Sequence, residues 1–198
     1  MAKIKLTKNE LKKQKDSLKM YQRYLPTLML KKQQLQAEIR NTENRIRDLK
    51  VEKGRIDESF KVWIGVFGEK GVFTPDMVKI TAVKTTVGNI AGVSIPLFQG
   101  ADFETQAYNL VHMPLWLDRA VEGLERTLLL DLEIKTLEDQ RNRLDHELRV
   151  TTQRVNLFEK IKIPETKVHI KKIQVYLGDQ QTAAVVRGKI AKRGMEAI

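Results

Sequence analysis

Apolar residues recur with a seven-residue period in two stretches near opposite ends of this 198-residue chain. Within each stretch, two columns of apolar residues lie three or four positions apart, which is the a/d seam of a coiled coil. So narrow a stripe cannot sit in a globular core, because the rest of each turn is mostly Lys, Arg, Glu, Gln or Asn. Both stretches are therefore predicted to be long helices that need a partner helix. The first seam contains Ile4, Leu11, Leu18, Leu25, Leu28, Leu35, Ile39, Ile46, Leu49 and Ile56, and the second contains Leu130, Ile134, Leu137, Leu144, Leu148, Val155 and Phe158.

The segment between the seams is rich in Gly, Pro and β-branched residues, which predicts a compact head. The simplest partner for each arm is the other arm, folded back antiparallel. We therefore predict a mainly α-helical fold: a long antiparallel two-helix coiled coil with a small head, containing a β-hairpin, between the arms. An arm of ~55 residues is about 80 Å long, so we expect a rod. As one elongated domain, residues 1–198 divide into an N-terminal arm (8–60), a head (61–112), a C-terminal arm (113–177) and a C-terminal tip (178–198).

Local signals place the ends and the irregularities of the helices. Thr7 followed by Glu10 fits a capping box, so the first helix should begin near Lys8. Pro26 and Pro164 each remove a backbone donor, and we expect a bend at both. Three polar residues occupy seam positions, and we expect the lysines to bury their stems and keep their ammonium groups in water. These are Lys32, Thr42 and Lys53.

The head carries the signals of a β-hairpin. Residues 78–87 are rich in β-branched residues, Gly88-Asn89 supplies a turn, and residues 93–98 form the return strand. A two-stranded ribbon is marginal alone, so it should lean on the coiled coil or on another subunit. Trp63 and Trp116 flank the head and are predicted to pack together where the arms separate.

The net charge of +11 is unevenly distributed. Residues 1–58 carry a net +8, residues 159–198 a net +5, and residues 59–158 a net −2. In an antiparallel hairpin the two basic segments meet at one end, where they would face an acidic surface. The alternative is a solvated lysine-rich surface that only aids solubility. Because the second arm is longer than the first, the C-terminus should extend beyond the paired helices as a single helix.

Several kinds of function are not indicated. The chain has no Cys, which argues against disulfides and thiolate metal sites and suits a reducing compartment. Its first 15 residues do not resemble a signal peptide, and no stretch approaches the ~18 apolar residues of a membrane span. His112, His146 and His169 are isolated, and the glycines of residues 65–71 lack the spacing of a phosphate-binding loop. We predict no catalytic, cofactor-binding or metal-binding residues.

Two blocks of residues resemble a known family. They are Leu6-Thr-Lys-Asn-Glu-Leu11 through Leu30-Lys-Lys-Gln-Gln-Leu35, and Arg154-Val-Asn-Leu-Phe-Glu159 with Ile163-Pro164 and Ile170-Lys-Lys-Ile173. The second block is the more specific. Both blocks are similar to the D subunits of the V/A-type rotary ATPases, which form the shaft of the central stalk.

The resemblance implies a non-catalytic rotor that transmits torque between ATP turnover and ion translocation. Both termini would enter the pore of the catalytic hexamer of A and B subunits, and the head would meet the small F subunit and the subunit that couples to the membrane ring. The protein would be cytoplasmic and peripherally membrane-associated, without nucleotide or cofactor of its own. Expected hexamer contacts are Lys3, Lys5, Lys8, Lys12, Lys13, Arg187, Lys189, Lys192 and Arg193. Expected contacts on the head, towards F, are Val78, Ile80, Val87, Ile95 and Phe98.

Two other classes remain open at this point. A helix, hairpin, helix plan is also found in prefoldin-like chaperones, whose chains are shorter and hold clients at their tips. The basic charge could instead bind nucleic acid, although almost no aromatic residues are interleaved with the basic ones.

Overall fold

A computed structural model describes residues 4–61, 77–105 and 116–196. Within these ranges the chain forms a long helix, a two-stranded hairpin and a second long helical arm, which confirms the predicted fold class. The predicted contact between Trp63 and Trp116 involves a residue outside the described ranges. The elements are α1 (Lys8–Lys61), β1 (Val78–Ile90), β2 (Val93–Thr105), α2 (Trp116–Asn156), a π-helical turn (Leu157–Lys162) and α3 (Ile163–Glu196).

Helix α1 begins where the capping signal predicts. The Glu10 backbone N–H donates to Thr7 Oγ1 at 3.3 Å, and the Leu11 N–H donates to the Thr7 carbonyl at 3.0 Å. The helix continues through Pro26 to Lys61; the bend at this proline stays a prediction. From Leu11 to the last turn of α1, the residues of the two heptad columns follow one another at intervals of three or four positions, and all of them are buried or half-buried. The seam is therefore continuous along the helix.

The described residues pack as two compact units. The first contains the two end segments of the chain, up to Lys32 and from Val150. There Tyr21 of α1 contacts Phe158 of the π-helical turn, with ring centroids 5.1 Å apart and ring planes tilted by 44°. Both residues lie on the faces that carry the predicted seams. The N-terminal and C-terminal arms therefore pair in this unit, as the heptad patterns predict.

The second unit spans Gln33–Arg149 and contains the hairpin. In one of its apolar clusters, Leu35 and Ile39 of α1 pack with Leu144 of α2. In the other, Ile46 packs with Ile134 and Leu137. From the first cluster to the second, the residue number rises on α1, from Leu35 to Ile46, and falls on α2, from Leu144 to Ile134. The two helices therefore run antiparallel. The buried residues are those that the heptad columns select.

A polar layer, formed by Thr42, Gln140 and Arg141, lies in sequence between these two clusters. Thr42 is buried, and its hydroxyl donates to the Glu38 carbonyl at 2.9 Å. Gln140 is also buried, and its side-chain amide donates to the Pro96 carbonyl of the hairpin. Arg141 takes the place of an apolar residue in the column of Ile134 and Leu148, and its Nε is buried without a hydrogen-bond partner.

The hairpin turn differs from the sequence prediction. Gly88 and Asn89 lie inside β1, and the two-residue turn is Ala91-Gly92, with φ angles of 50° and 80°. Both angles are positive, as in the type I′ turn that matches the twist of a hairpin. Asn89 supports the turn, because its Oδ1 accepts the Gly92 N–H at 3.0 Å. The prediction placed the turn three residues too early, on the dipeptide Gly88-Asn89, which is itself common in turns.

A change of helix type precedes Pro164. Over the π-helical turn the hydrogen bonds span five residues, and the Ile163 N–H donates to the Phe158 carbonyl. A π-helical turn inserts one extra residue. The buried column Leu144, Thr151 and half-buried Phe158 would continue at positions 165 and 172, but the buried residues are Thr166 and Ile173. The extra residue thus shifts the seam by one position. The predicted bend at Pro164 stays a prediction.

Candidate partner-binding surfaces

The basic residues at the start of the chain are exposed. Lys5 precedes α1, whereas Lys8, Lys12 and Lys13 lie in its first two turns, all with exposed side chains. Because Lys8 and Lys12 are four residues apart, they share one face of the helix. Lys3 lies outside the described residues. The first turns of α1 therefore present ammonium groups to solvent beside the helix start.

The basic residues near the end of the chain lie on a fully exposed helix. Every described residue from Gly178 to Arg193 is exposed, although α3 continues to Glu196. Lys189, Lys192 and Arg193 share a face, whereas Arg187 lies on the opposite one. The predicted apolar face also ends early, since Ile190 is 65% exposed. The predicted extension of this part of α3 beyond the paired helices stays a prediction.

The two basic groups are separated along the helices. Taking the contact between Tyr21 and Phe158 as a common level, Lys8 is 13 residues from that level and Arg187 is 29 residues from it in the same direction. At ~1.5 Å per residue, Lys8 and Arg187 are offset by roughly 24 Å along the helices. The described basic residues form two groups on the same unit, one beside the start of α1 and one on the exposed end of α3; their joint contact with a partner stays a prediction.

The hairpin residues expected to face a partner divide into two sets. Val78 and Ile95 are buried, with Ile95 only 1% exposed, and they hold the hairpin in place. Ile80 and Val87 are exposed, the latter by 80%, and Phe98 is half-buried. Val83 in β1 is a further exposed apolar residue that the sequence analysis did not select. Exposed apolar side chains on one strand form a surface suited to contact with another protein.

Contacts at both ends of the hairpin attach it to the coiled coil, as its marginal stability predicts. At the turn, Ile95 packs with Leu35, Ile39 and Leu144. Beside it, α2 donates two hydrogen bonds to β2 carbonyls, one from Gln140 to Pro96 and one, at 3.4 Å, from Arg143 to Ser94. At the open end, Thr105 Oγ1 donates to a carboxylate oxygen of Glu125 at 2.8 Å. Sequence patterns did not identify these polar anchors, because Gln140 and Arg143 look like ordinary residues of a charged helix.

Ion pairs connect α1 and α2 on either side of the seam. Arg45, Lys50 and Lys53 of α1 pair with carboxylates of α2, whereas Arg126 of α2 pairs with Glu52 of α1. The N···O distances are 2.7 Å for Arg45–Glu133, 2.9 Å for Lys50–Glu138, 2.6 Å for Lys53–Asp131 and 2.6 Å for Arg126–Glu52. Most of these side chains are exposed, so each pair adds little stability, but together they favour one alignment.

Lys53 reaches its partner from a seam position. Its ammonium group contacts both carboxylate oxygens of Asp131, at 2.6 and 2.8 Å. The hydrogen bond from Lys53 to Asp131 raises the pKa of the lysine above its ordinary value, against the smaller opposing effect of burial. The stem is half-buried and the charged end is paired at the surface, which is the arrangement predicted for the seam lysines.

In the parts of the chain that the structure covers, no three or more His, Cys, Asp and Glu side chains form a group that could hold a metal ion. None of the helices described is long and apolar enough to cross a membrane. His146 lines a shallow surface depression beside the hairpin turn, together with Ser94 and Glu147. His112 and the glycines of residues 65–71 lie outside the described ranges.

Comparison with known proteins identifies the family. The family model for the ATP synthase D subunit matches residues 10–193. A V-type ATP synthase D subunit from Borreliella burgdorferi is 51% identical over 98% of this chain and 96% of its own length. Proteins of the same name from Chlamydia trachomatis serovar L2 and Chlamydia pneumoniae are 34% and 32% identical, each over 98% of this chain and over 96% and 93% of their own lengths. The chain therefore belongs to the family of ATP synthase D subunits, within the V-type class.

Proposed function

We propose that this chain is the rotor shaft of the central stalk in a V/A-type rotary ATPase. It would transmit torque between ATP turnover in the catalytic A/B hexamer and ion translocation by the membrane ring. The observation that carries the proposal is the antiparallel seam, in which α1 pairs with the C-terminal arm in both compact units. Interlocked seam side chains resist sliding of one helix past the other, and a shaft that carries torque needs this property.

The coupling would arise from asymmetry. A single shaft inside a ring of near-identical subunits presents a different surface to each subunit, so each catalytic site would adopt a different state. Rotation of the shaft would then move every site through the same sequence of states. The chain itself would be non-catalytic, with the nucleotide chemistry in the A and B subunits. It would be cytoplasmic and attached to the membrane only through the complex.

Two surfaces are proposed to contact the hexamer pore. These are the basic residues at the start of the chain and those on the exposed end of α3, whose charge would bias the hexamer as the shaft turns. Reversing Arg187, Lys189, Lys192 and Arg193 to Glu should weaken assembly with the hexamer or uncouple ATP hydrolysis from pumping in reconstituted vesicles. A control that reverses the exposed residues Lys135 and Arg149 of α2 should pump normally. Coupled pumping at the wild-type rate in the fourfold variant would contradict this proposal.

The exposed apolar surface of β1 is proposed to contact F or a hexamer subunit and so to modulate hydrolysis. Val87 is its most exposed member. The substitution Val87→Asp should alter the ATPase rate of the assembled complex, whereas Thr86→Asp, exposed on the opposite face of β1, serves as the matched control. Identical ATPase rates for Val87→Asp and wild type would contradict the proposal that the hairpin modulates hydrolysis.

The family match favours the rotor over both alternatives. A prefoldin-like chaperone should assemble as a hexamer in isolation, and a nucleic-acid-binding protein should bind in a salt-sensitive manner. Purification of this chain at moderate salt distinguishes the three. The proposal expects A, B and F subunits to remain bound, and their absence alongside bound nucleic acid or a self-assembled hexamer would contradict it.

A further inference from the structure

We propose that Gln140 is a latch that fastens the turn of the hairpin to the coiled coil, so that the hairpin can detach from α1 and α2 without separating the two helices. The inference concerns the second compact unit alone and does not depend on the rotor proposal. It starts from the way in which the hairpin is attached.

The attachment is concentrated at the two ends of the hairpin. At the turn, Ile95 is buried against Leu35 and Leu144, and the carbonyls of Pro96 and Ser94 accept hydrogen bonds from α2. At the open end, Val78 is buried. Between these ends, β1 residues 79–87 are all exposed, whereas Phe98 and Phe103 of β2 are half-buried. Release of the turn therefore breaks the two hydrogen bonds and the packing of Ile95, Ile90, Ala91 and Val93 on the Leu35 cluster, while the open end stays in place as a hinge.

Gln140 is the polar element of the turn attachment. It flanks the heptad columns, since Leu137 and Arg141 occupy the adjacent seam positions, and it is only 6% exposed. Burial of an amide is costly unless the amide is hydrogen-bonded. Its side-chain donor is satisfied by the Pro96 carbonyl. The hydrogen bond therefore forms when the hairpin docks and is replaced by water when the hairpin leaves.

Helix pairing does not use this hydrogen bond. The Leu35 and Ile46 clusters lie on either side of it, and the first unit pairs through separate contacts such as that of Tyr21 with Phe158. Four ion pairs also join α1 to α2 without the hairpin. The Ile46 cluster and these ion pairs hold the helices together without any hairpin residue, whereas the turn is held by Ile95, by the packing of Ile90, Ala91 and Val93 on the Leu35 cluster, and by two hydrogen bonds. The helices therefore keep contacts of their own when the turn is released.

Hydrogen exchange on the full chain tests the latch. Gln140→Met keeps the side-chain length and removes the donor, Gln140→Glu places an acceptor against the Pro96 carbonyl, and Gln140→Lys restores a donor. We expect amide exchange in residues 90–97 to accelerate at least tenfold in the Met and Glu variants and to return within about threefold of wild type in the Lys variant. Exchange in residues 11–28 should stay unchanged in all three. Gln153→Met, at an exposed position of α2, is the matched control.

Two results would overturn the latch. In one, exchange at residues 90–97 is the same in Gln140→Met as in wild type, which would mean that apolar packing alone holds the turn. In the other, residues 35–46 of α1 lose protection together with the hairpin, which would mean that the hairpin and the helices separate as one unit. A second test compares two segments of the wild-type protein. Backbone amides of residues 90–97 should exchange at least tenfold faster than those of residues 35–46. Equal exchange rates would also refute the proposal.

Discussion

At the scale of single residues, the seam contains positions where its chemistry opposes helix pairing. Arg141 is the clearest, because it fills a column position between Ile134 and Leu148 and its Nε is buried without a partner. A buried donor without a partner costs on the order of 1–3 kcal/mol. The seam tolerates this cost because apolar clusters lie on both sides of the polar layer.

Replacing Arg141 should therefore stabilise the protein. We expect Arg141→Met to raise the free energy of unfolding by about 1 kcal/mol, because a long apolar side chain fits the column and leaves no buried donor unpaired. Urea denaturation measures this difference, provided that the free energy of unfolding depends on the urea concentration with the same slope in both proteins. Arg149→Met, at an exposed position of the same helix, should change stability by less than about 0.5 kcal/mol. A loss of stability in Arg141→Met would show that the guanidinium has a structural role.

Two helical glycines should respond oppositely to alanine. A Cβ at Gly54 meets no atom within 4 Å, whereas a Cβ at Gly123 would overlap the ring of Phe60. Gly54→Ala should stabilise the protein by about 0.5–1 kcal/mol through helix propensity. Gly123→Ala should lose that gain, because the Phe60 ring must move. Thermal unfolding of both variants checks the contrast, and equal stabilisation would contradict the close approach at Gly123.

At the scale of elements, the Lys53–Asp131 ion pair gives the coiled coil a pH dependence. The pKa of Lys53 is raised in the folded state. Its stabilising contribution is therefore complete below the unfolded-state pKa of about 10.4 and is lost as the pH rises through the folded-state value. The difference in melting temperature between wild type and Lys53→Met should be constant between pH ~7 and ~9, and it should decrease above pH ~10. A constant difference up to pH ~11.5 would contradict the pairing.

The π-helical turn also makes a prediction at this scale. Deleting Lys160, an exposed residue of the turn, removes the extra residue and returns Thr166 and Ile173 to the heptad spacing that follows Phe158. The deletion should preserve or raise the melting temperature. Deleting Lys171, an exposed residue of α3, rotates Ile173 by about 100° out of the seam and should lower it. Equal losses in both deletions, measured by circular dichroism, would contradict the register shift.

Sequence patterns predict the elements better than the contacts between them. Heptad spacing and the Thr7 cap identify α1 because these signals are local and repeat many times. The turn at Ala91-Gly92 was missed because Asn89 was interpreted as part of the turn, whereas its side chain supports the turn from within β1. The anchoring role of Gln140 was also missed, since its partner is 44 residues away. Contacts between distant segments leave no periodic signal in the sequence.

At the scale of the whole molecule, separate parts of the chain would have separate tasks. Paired helices would carry torque, the basic surfaces at the start of α1 and the end of α3 would contact the hexamer, and the hairpin would contact its neighbours through β1. The exposure of α3 from Gly178 to Arg193 fits a segment that another subunit covers in the assembled complex. The family to which the chain belongs makes such an assembly the natural setting for these surfaces.

Direct observation of rotation tests the central claim. The chain has no Cys, so Thr86→Cys provides an attachment point that is unique on this chain, exposed, and on the opposite face of β1 from Val87. With the hexamer fixed to a surface and a bead attached at this position, we predict stepwise, unidirectional rotation of the bead while ATP is hydrolysed. A bead that stays still while the same complexes hydrolyse ATP at the wild-type rate would contradict the assignment of this chain as the shaft.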